Sequence, residues 1–462
     1  LIPRQQQSKI VAHIKELFNQ LETIYKGCYL LEELSQKTLA TISSFGELLS
    51  AAIIAEISNL ALDTNYKDSR DLIVASEVYL DAVVDFPATN KNITDYFKDA
   101  TALVTLLPGF VARTNQGQTT TLGRGGSDYS AAIYAAALDA EELQIWTDVS
   151  GMYTSNPSIV KQAFAIPHIS YHEAMELSHF GAKVIYPPTI QPVLQKEIPM
   201  VIKNTFQPED IGTRITKDTH TNNQPVKGIS YIENITLITL GGTGMVGMPG
   251  FSKRLFEVLS LHEINITLIT QASSELSICI GVENKDADRA QKLIDTIFEY
   301  EIHQQKVRPV ILEQDLCIIA LVGDNMKNHQ GLSGKMFSSL GKNNVNIRAI
   351  AQGASEKNIS AVINKKDAKK ALNTLHEQFF EEKIKQLNLF VTGVGNVGER
   401  FLSQIHQQKE YLKKHLKLSI KEDGKPHFNA IAFGLGDFIS EIKKQPFHIC
   451  YTINENNWNG KT

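Results

Sequence analysis

Residues 117–130 read Gly117-Gln118-Thr119-Thr120-Thr121-Leu122-Gly123-Arg124-Gly125-Gly126-Ser127-Asp128-Tyr129-Ser130, and a helical pattern follows to about residue 140. Glycines let the backbone approach a ligand closely, and the start of a helix offers amide groups and a positive dipole to an anion. Arg124 can form two parallel hydrogen bonds to a carboxylate, beside the Ser127 hydroxyl and the Asp128 charge. The sequence indicates an anion-binding loop; the alternative is a Gly-rich turn capped by Ser127 or Asp128.

The sequence on either side indicates an α/β domain. Between residues 72 and 202, short β-rich runs alternate with helical patterns, as layered α/β structure requires. From residue 10 to about 62, apolar residues recur at helical spacing, which predicts amphipathic helices with a turn near residues 43–46. Residues 213–227 are polar and contain Pro225, which predicts a linker and a domain boundary.

An internal repeat with an offset of 81 residues follows the linker. Residues 250–256 align with 331–337, and Gln271 aligns with Gln352. Each copy predicts the order strand, helix, strand, strand, helix, which is typical of the ferredoxin-like split βαβ fold. In the first copy these elements cover 235–240, 253–261, 266–270, 276–282 and 287–298. The repeat therefore predicts two ferredoxin-like modules that pair as one unit.

Composition argues against several classes of protein. The 462 residues carry a net charge of -4, with 42% hydrophobic and 21% charged residues. We find no run of ~18 apolar residues, the length of a membrane span, and no net positive charge to attract nucleic acid. Four scattered cysteines give neither a disulfide framework nor a metal site. We therefore expect a cytoplasmic protein of several domains, with no membrane partner, no nucleic-acid partner and no metal centre.

A second glycine motif lies near the C-terminus. Residues 388–392 form an apolar strand pattern that runs into Gly393, Gly395 and Gly398 at GxGxxG spacing, and a helical pattern follows to about residue 408. This is the fingerprint of a dinucleotide-binding loop, in which glycines allow a tight turn and close approach of a pyrophosphate. Only 64 residues follow Gly398, so we expect the first βα unit of a Rossmann domain and no NADP binding.

Three motifs together resemble one family. The stretch 117–130, residues 145–154 (IWTDVSGMYT) and residues 180–187 (FGAKVIYP) are similar in order and spacing to aspartokinases, in particular to the threonine-sensitive enzymes fused to homoserine dehydrogenase. The resemblance implies an amino-acid kinase fold that phosphorylates the side-chain carboxylate of L-aspartate with Mg-ATP. It also implies a domain order: an aspartokinase catalytic domain at 1–215, a linker at 216–227, ACT modules at 228–310 and 311–386, and the start of a homoserine dehydrogenase NAD(P)-binding domain at 387–415.

The resemblance implies roles for two groups of residues in the kinase domain. For L-aspartate, Glu47 would bind the ammonium group and Arg124 with Gly125 the α-carboxylate, while Ser127 and Asp128 would be catalytic and shape the phosphoryl-transfer site. For ATP, the residues would be Thr147, Asp148, Tyr153 and Lys183, the last at the phosphates. These roles suit phosphoryl transfer, which depends on positioning and on neutralisation of charge, with Mg²⁺ contributing. Without the motifs, Glu47 and Lys183 would be typical solvated surface residues.

One departure from the family concerns catalysis. Aspartokinases begin with a strand and loop of the form Lys-Phe-Gly-Gly-Thr-Ser, whose lysine contacts the transferring phosphate, and no such string occurs in the 462 residues. We therefore expect an N-terminally truncated kinase domain with an incomplete fold and little or no kinase activity. The alternative function is a non-catalytic regulatory protein whose ACT modules bind an amino acid.

The repeat resembles paired ACT modules, which bind amino-acid effectors between modules. Asn265 and Gln271 match Asn346 and Gln352 at the common offset, and side-chain amides suit the backbone groups and the hydroxyl of L-threonine. The alternative is that these residues only cap turns. We expect L-threonine as the effector and a homo-oligomer formed through the ACT modules.

The C-terminal residues 416–462 resemble the OB-type region of RecJ exonucleases, in stretches 428–437 and 446–460. OB folds bind single strands by stacking bases on aromatic side chains, which Phe447, Tyr451 and Trp458 could supply. The segment is short for a complete barrel, so single-stranded DNA binding is a third hypothesis and we expect these aromatic residues to pack instead.

Overall fold

The computed structural model describes residues 4–381, apart from 180–183, 218–223, 247–248, 272–275 and 354–356, and also residues 400, 403, 404 and 407. The chain divides into two compact units, Leu1–Phe380 and Glu381–Thr462. The first unit contains the features discussed below. Lys183, the glycine motif at Gly393, Gly395 and Gly398, and the OB-like tail lie outside the described residues.

The N-terminal domain, residues 4–217, alternates helices and strands. Its helices are α1 (Arg4–Leu31), α2 (Gln36–Ser58), α3 (Phe86–Lys98), α4 (Gly126–Ala137), α5 (Tyr171–His179) and α6 (Pro187–Lys196). Its strands are β1 (Thr64–Tyr66), β2 (Val104–Leu106), β3 (Val111–Arg113), β4 (Thr119–Thr121), β5 (Leu143–Thr147), β6 (His168–Ser170), β7 (Met200–Asn204) and β8 (Thr213–Thr216). This order confirms the predicted α/β class.

The described strands of this domain form three sheets. β1 pairs in parallel with β2, β3 pairs with β4, and a four-stranded sheet has the order β5-β7-β8-β6. The linker prediction is wrong for residues 213–216, because they form β8. Thr213 and Ile215 are fully buried against β7, so the polar composition of this segment concealed a strand.

The first two helices break at residues 32–35, so the predicted turn at residues 43–46 is wrong. Ser35 caps α2, since its Oγ accepts a hydrogen bond from the Thr38 amide at 3.2 Å, and Glu32 adopts a left-handed conformation with φ 48°. Ser44 and Phe45, within the predicted turn, are buried positions of α2.

By length and composition alone, α2 is apolar enough to cross a membrane, although polar residues interrupt its apolar runs. Phe45 and Leu48 on this helix are buried, and the helix contacts β1 and β4. One face of α2 therefore packs into the N-terminal domain, whereas Ile54 and Ile57 are exposed.

The C-terminal domain, residues 224–381, contains the repeat in the predicted order. The first copy comprises β9 (Gly228–Gly241), α7 (Phe251–Leu261), β10 (Leu268–Gln271), β11 (Ser277–Glu283) and α8 (Asn284–Ile297). After α9 (Glu299–His303), the second comprises β12 (Arg308–Val322), α10 (Leu332–Lys342), β13 (Ile347–Gln352), β14 (Asn358–Asn364) and α11 (Ala368–Phe380). The repeat extends to backbone conformation, because Gly250 and Gly331 both precede a helix with positive φ, 103° and 83°.

The two copies share one six-stranded sheet, in the order β10-β11-β9-β12-β14-β13. β9 is longer than predicted: its residues 235–241 pair with β11, whereas residues 228–232 pair with the second half of β12. The first half of β12, residues 308–313, pairs with residues 237–241 in the second half of β9. Both strands contain a left-handed residue near the middle, Asn234 and Asp315, which are again 81 positions apart. Each module therefore includes half of the other module's leading strand, and the predicted boundary between residues 310 and 311 lies inside β12.

A buried carboxylate connects the two domains. Glu173 on α5 is 2% exposed, and its two oxygens accept hydrogen bonds from the backbone amides of Ser170 and Asp324, each at 2.9 Å. Nearby, the Asn358 side-chain amide donates to Glu176 Oε2 at 2.7 Å. Burial raises the pKa of Glu173. Helix α5, which leads into residues 180–187, is thus held by the turn after β12 and by the start of β14.

Candidate active site

The glycine loop ends at an uncapped helix start. Gly125 occupies the N-cap position of α4 with φ 67°, and no side chain caps the first amide groups of this helix. A Cβ at Gly125 would collide with the side chain of Tyr186, so the close approach requires glycine. The alternative of a turn capped by Ser127 or Asp128 is therefore wrong, and the loop presents the positive end of α4 as the anion-site hypothesis requires.

The residues assigned to aspartate converge on this helix start. Glu47 Oε1 on α2 accepts a hydrogen bond from the Gly109 amide at 2.8 Å. A Cβ at Gly109 would lie 2.9 Å from Ser127 Oγ, so Gly109 fills the space between α2 and α4. Arg124 is exposed and makes no ion pair within the described residues. The structure therefore brings Glu47 on α2 to the start of α4 through Gly109, next to the loop that contains Arg124.

Asp128 stands on the first turn of α4 and is partly buried. Burial raises the pKa of its carboxyl group, with no charged neighbour contributing to the shift. A carboxylate in this position gains from a nearby cation, which would offset the cost of burying its charge.

Two residues of this site were not singled out from the sequence. Gly109 separates Glu47 from Ser127, and Asp81 lies so close to Gly123 that a Cβ there would collide with its carboxylate. The only local signal was the Pro108-Gly109 pair, which is typical of a turn. Both contacts join residues far apart in sequence, and local patterns do not record them.

Three of the four residues assigned to the nucleotide line a cavity of about 1120 Å³. Thr147, Asp148 and Tyr153 lie on its wall, and Thr147 Oγ1 donates to Asp148 Oδ1 at 3.2 Å. Val184 also lines the cavity. This volume is slightly above the usual range of ligand pockets, roughly 300–1,000 Å³.

Residues 184–186 connect the cavity to the glycine loop. Val184 faces the cavity, and two positions later Tyr186 packs against Gly125. The structure therefore places an exposed arginine at an uncapped helix start on one side of this segment and a nucleotide-sized cavity on the other. Such an arrangement can hold a carboxylate and a phosphate donor close together.

The predicted effector residues lie on the two outer strands of the six-stranded sheet. Asn265 and Asn346 precede β10 and β13, Gln271 and Gln352 end them, and all four side chains are exposed. β10 contacts β13, and Gln352 Oε1 accepts from Ser333 Oγ at 3.3 Å. Within the described ranges, no group of three or more His, Cys, Asp or Glu side chains could hold a metal ion.

Comparison with protein families gives three matches. An amino acid kinase family model matches residues 7–204, an ACT domain model matches 238–298 and 319–379, and a RecJ OB domain model matches 366–462. The last match overlaps the end of the second ACT match and includes the tail whose resemblance was seen in the sequence. All three agree with the resemblances found in the sequence.

Several curated relatives are bifunctional enzymes. A bifunctional aspartokinase/homoserine dehydrogenase of Haemophilus influenzae is 40% identical over 399 residues, which is 85% of this chain and 49% of the relative. A chloroplastic one of Arabidopsis thaliana is 34% identical over 424 residues, 90% of this chain and 46% of the relative. The chain spans about half the length of these relatives.

Solved structures share the fold of the first unit. Aspartokinase III of E. coli, in complex with aspartate and ADP, superposes with a TM-score of 0.67 at 30% identity, covering 80% of this chain and 82% of that one. The aspartate kinase of Clostridium acetobutylicum gives a TM-score of 0.67 at 29% identity, covering 79% and 80%. Since fold and sequence agree over most of a solved aspartokinase, the chain belongs to the aspartokinase family.

Proposed function

We propose that the N-terminal domain is an aspartate kinase, which transfers the γ-phosphate of ATP to the side-chain carboxylate of L-aspartate. One observation carries the proposal: Glu47 and the start of α4 meet at Gly109, and residues 184–186 join that place to the cavity of Thr147 and Asp148. Phosphoryl transfer requires an acceptor site beside a nucleotide site. The E. coli structure in complex with aspartate and ADP supports the same pair of ligands.

Each group has a physical role in this reaction. Arg124 forms a two-pronged hydrogen bond with the α-carboxylate of aspartate, and Glu47 attracts its ammonium group. A side-chain carboxylate oxygen of the substrate then attacks the γ-phosphorus, and the bond from that phosphorus to the β–γ bridging oxygen breaks to release ADP. The amide groups at the start of α4 stabilise the negative charge that develops.

Mg²⁺ accompanies ATP as a cosubstrate, held by phosphates and by one or two carboxylates. Asp128 fits this task, because its partly buried carboxylate has no cation beside it within the described residues. When bound, the ion supplies charge neutralisation at the phosphates. Asp128 itself holds a negative charge in place beside the helix start.

The test is trapping of the acyl phosphate as aspartyl hydroxamate, with L-aspartate, Mg-ATP and hydroxylamine. We expect formation of the hydroxamate that depends on both L-aspartate and Mg-ATP. In Arg124→Ala, the KM for aspartate should rise with little change in the KM for ATP. Arg348→Ala, which removes an exposed arginine on β13, is the matched control. A chain that neither forms hydroxamate nor binds aspartate in calorimetry contradicts the proposal.

A second candidate function is an amino-acid-binding regulatory protein without catalysis, favoured by the complete pair of ACT modules. We propose L-threonine as the effector, bound near Gln271 and Gln352 where β10 contacts β13, and a homo-oligomer formed through these modules. A structure of the E. coli relative in complex with lysine and aspartate supports an amino-acid effector in general. Binding of threonine without any hydroxamate would favour this candidate over the kinase.

A further inference from the structure

The cavity assigned to the nucleotide has walls from both domains. One wall comes from the kinase residues that include Thr147 and Tyr153, and the other comes from the first half of β9 and from residues 283–285. β9 is the strand that the two ACT modules share. A ligand that fills this cavity therefore touches the regulatory domain directly.

Two serines on these walls have unsatisfied hydroxyl groups. Ser155 in the kinase domain is 4% exposed and Ser230 on β9 is 6% exposed, and both line the cavity. Neither hydroxyl has a hydrogen-bond partner within the described residues. Buried polar groups are nearly always paired in native proteins, because an unpaired one costs about 1–3 kcal/mol. Two such groups on one cavity make it a candidate ligand site.

The backbone brings these serines together. The amide of Ile229 donates to the carbonyl oxygen of Thr154 at 2.7 Å, and Ser230 and Ser155 are the next residue on each side. The contact therefore joins β9 to the loop that contains Tyr153. The two serines are therefore next to the same backbone contact between β9 and this loop.

Charge determines which part of a nucleotide lies against β9. Glu233 and Glu283 line that side, each already paired with a lysine, Lys365 at 3.2 Å and Lys285 at 2.7 Å. Because each carboxylate is paired with a lysine, these residues offer no net positive charge to phosphates. The neutral base and ribose present hydrogen-bonding groups and an apolar surface that suit serine hydroxyls and the neighbouring ring of Tyr231. The nucleoside is therefore the part of a nucleotide that fits β9.

We propose that Ser230 of the regulatory domain, together with Ser155, hydrogen-bonds the nucleoside part of ATP, so that strand β9 is a structural part of the nucleotide site. This inference rests on the proposed nucleotide-binding function and assigns it a residue outside the kinase domain. It also gives nucleotide binding a direct route to β9, without any intermediate element.

The experiment is titration calorimetry of ADP with the whole chain and its variants. Ser230→Ala should weaken ADP binding about two- to tenfold, the effect of one hydrogen bond, and Ser155→Ala should do the same. Ser178→Ala is the matched control, because its hydroxyl is also buried and unpaired within the described residues but does not line the cavity. Its affinity for ADP should equal that of the wild type.

Thermal unfolding provides a readout that separates ligand contact from damage to the fold. Without ADP, Ser230→Ala should melt at the wild-type temperature or above it, since removing an unpaired buried hydroxyl removes its desolvation cost. With ADP, the rise in melting temperature should be smaller than in the wild type. Wild-type ADP affinity in both serine variants overturns the inference alone. A wild-type chain that binds no ADP overturns the inference and the proposed nucleotide site together, whereas ADP binding without hydroxamate contradicts only the proposed catalysis.

Discussion

Glu173→Gln tests the junction between the kinase and regulatory domains. Each oxygen of Glu173 accepts one backbone amide, Ser170 on one side and Asp324 on the other. Glutamine has the same shape but only one acceptor oxygen, so one amide would face the NH₂ group of the new side chain. The cost of one buried, unmatched donor is about 1–3 kcal/mol. With a shift of roughly 2–4 °C for each kcal/mol, we expect the melting temperature to fall by several degrees.

The assay is thermal unfolding followed by circular dichroism or calorimetry at pH 7. Glu176→Gln on the same helix is the control, because Glu176 Oε2 accepts one side-chain hydrogen bond that a glutamine oxygen can also accept. A melting temperature for Glu173→Gln as high as that of the control would refute the assignment of Glu173 as the link between the domains.

The stability difference between the wild type and Glu173→Gln should change with pH in one direction. Burial raises the pKa of Glu173 above 4.5, so the folded state holds this proton more tightly than the unfolded state does. The contribution of the group to stability is then complete below its unfolded pKa and is lost as pH rises through the folded pKa. The stability of the wild type relative to Glu173→Gln should therefore increase as pH is lowered from 7 toward 4.5. A difference that shrinks over this range would contradict the burial argument.

Two further predictions concern the glycine loop and the proposed effector site. Gly125→Ala should raise the KM for aspartate and destabilise the fold, because it adds a collision with Tyr186 to the roughly 1 kcal/mol cost of a left-handed alanine. The control is Gly117→Ala, which has φ 79° and open space around it and should show the conformational cost alone. Threonine at 100 times its Kd should stabilise the chain by about 2.7 kcal/mol, and Gln271→Ala combined with Gln352→Ala should abolish the rise in melting temperature. An unchanged rise in the double variant would exclude these glutamines as effector contacts.

The sequence predicted what depends on local pattern and on repetition. The glycine loop before α4 and the order of elements in both ACT modules are confirmed, because glycine placement and the 81-residue offset are properties of the chain itself. The extra length of β9 was missed, since residues 228–232 owe their strand conformation to β12, about 90 residues away. The contact of Glu47 with Gly109 was missed for the same reason, as it forms across 62 residues.

The break between α1 and α2 and strand β8 were mispredicted for a different reason, because residue type alone was misleading. Ser44 and Gly46 are typical of turns by residue type, yet the buried face of α2 continues through them, so packing outweighed propensity. In β8, threonines suggested a linker, although β-branched residues also favour strands. In both cases the residues that pack against the segment, and not its own residue types, determined its secondary structure.

The exchange of half-strands between β9 and β12 has a kinetic consequence. Neither ACT module can complete its sheet until the chain has synthesised both leading strands and brought them together, so folding of each module requires the closure of a loop of about 80 residues. Until that closure, the edges of both half-formed sheets stay open to wrong partners, including another copy of the same nascent chain. The interlocked strands that make the regulatory pair a single unit in the native state thus also make it the part of the chain most exposed to misassembly during synthesis.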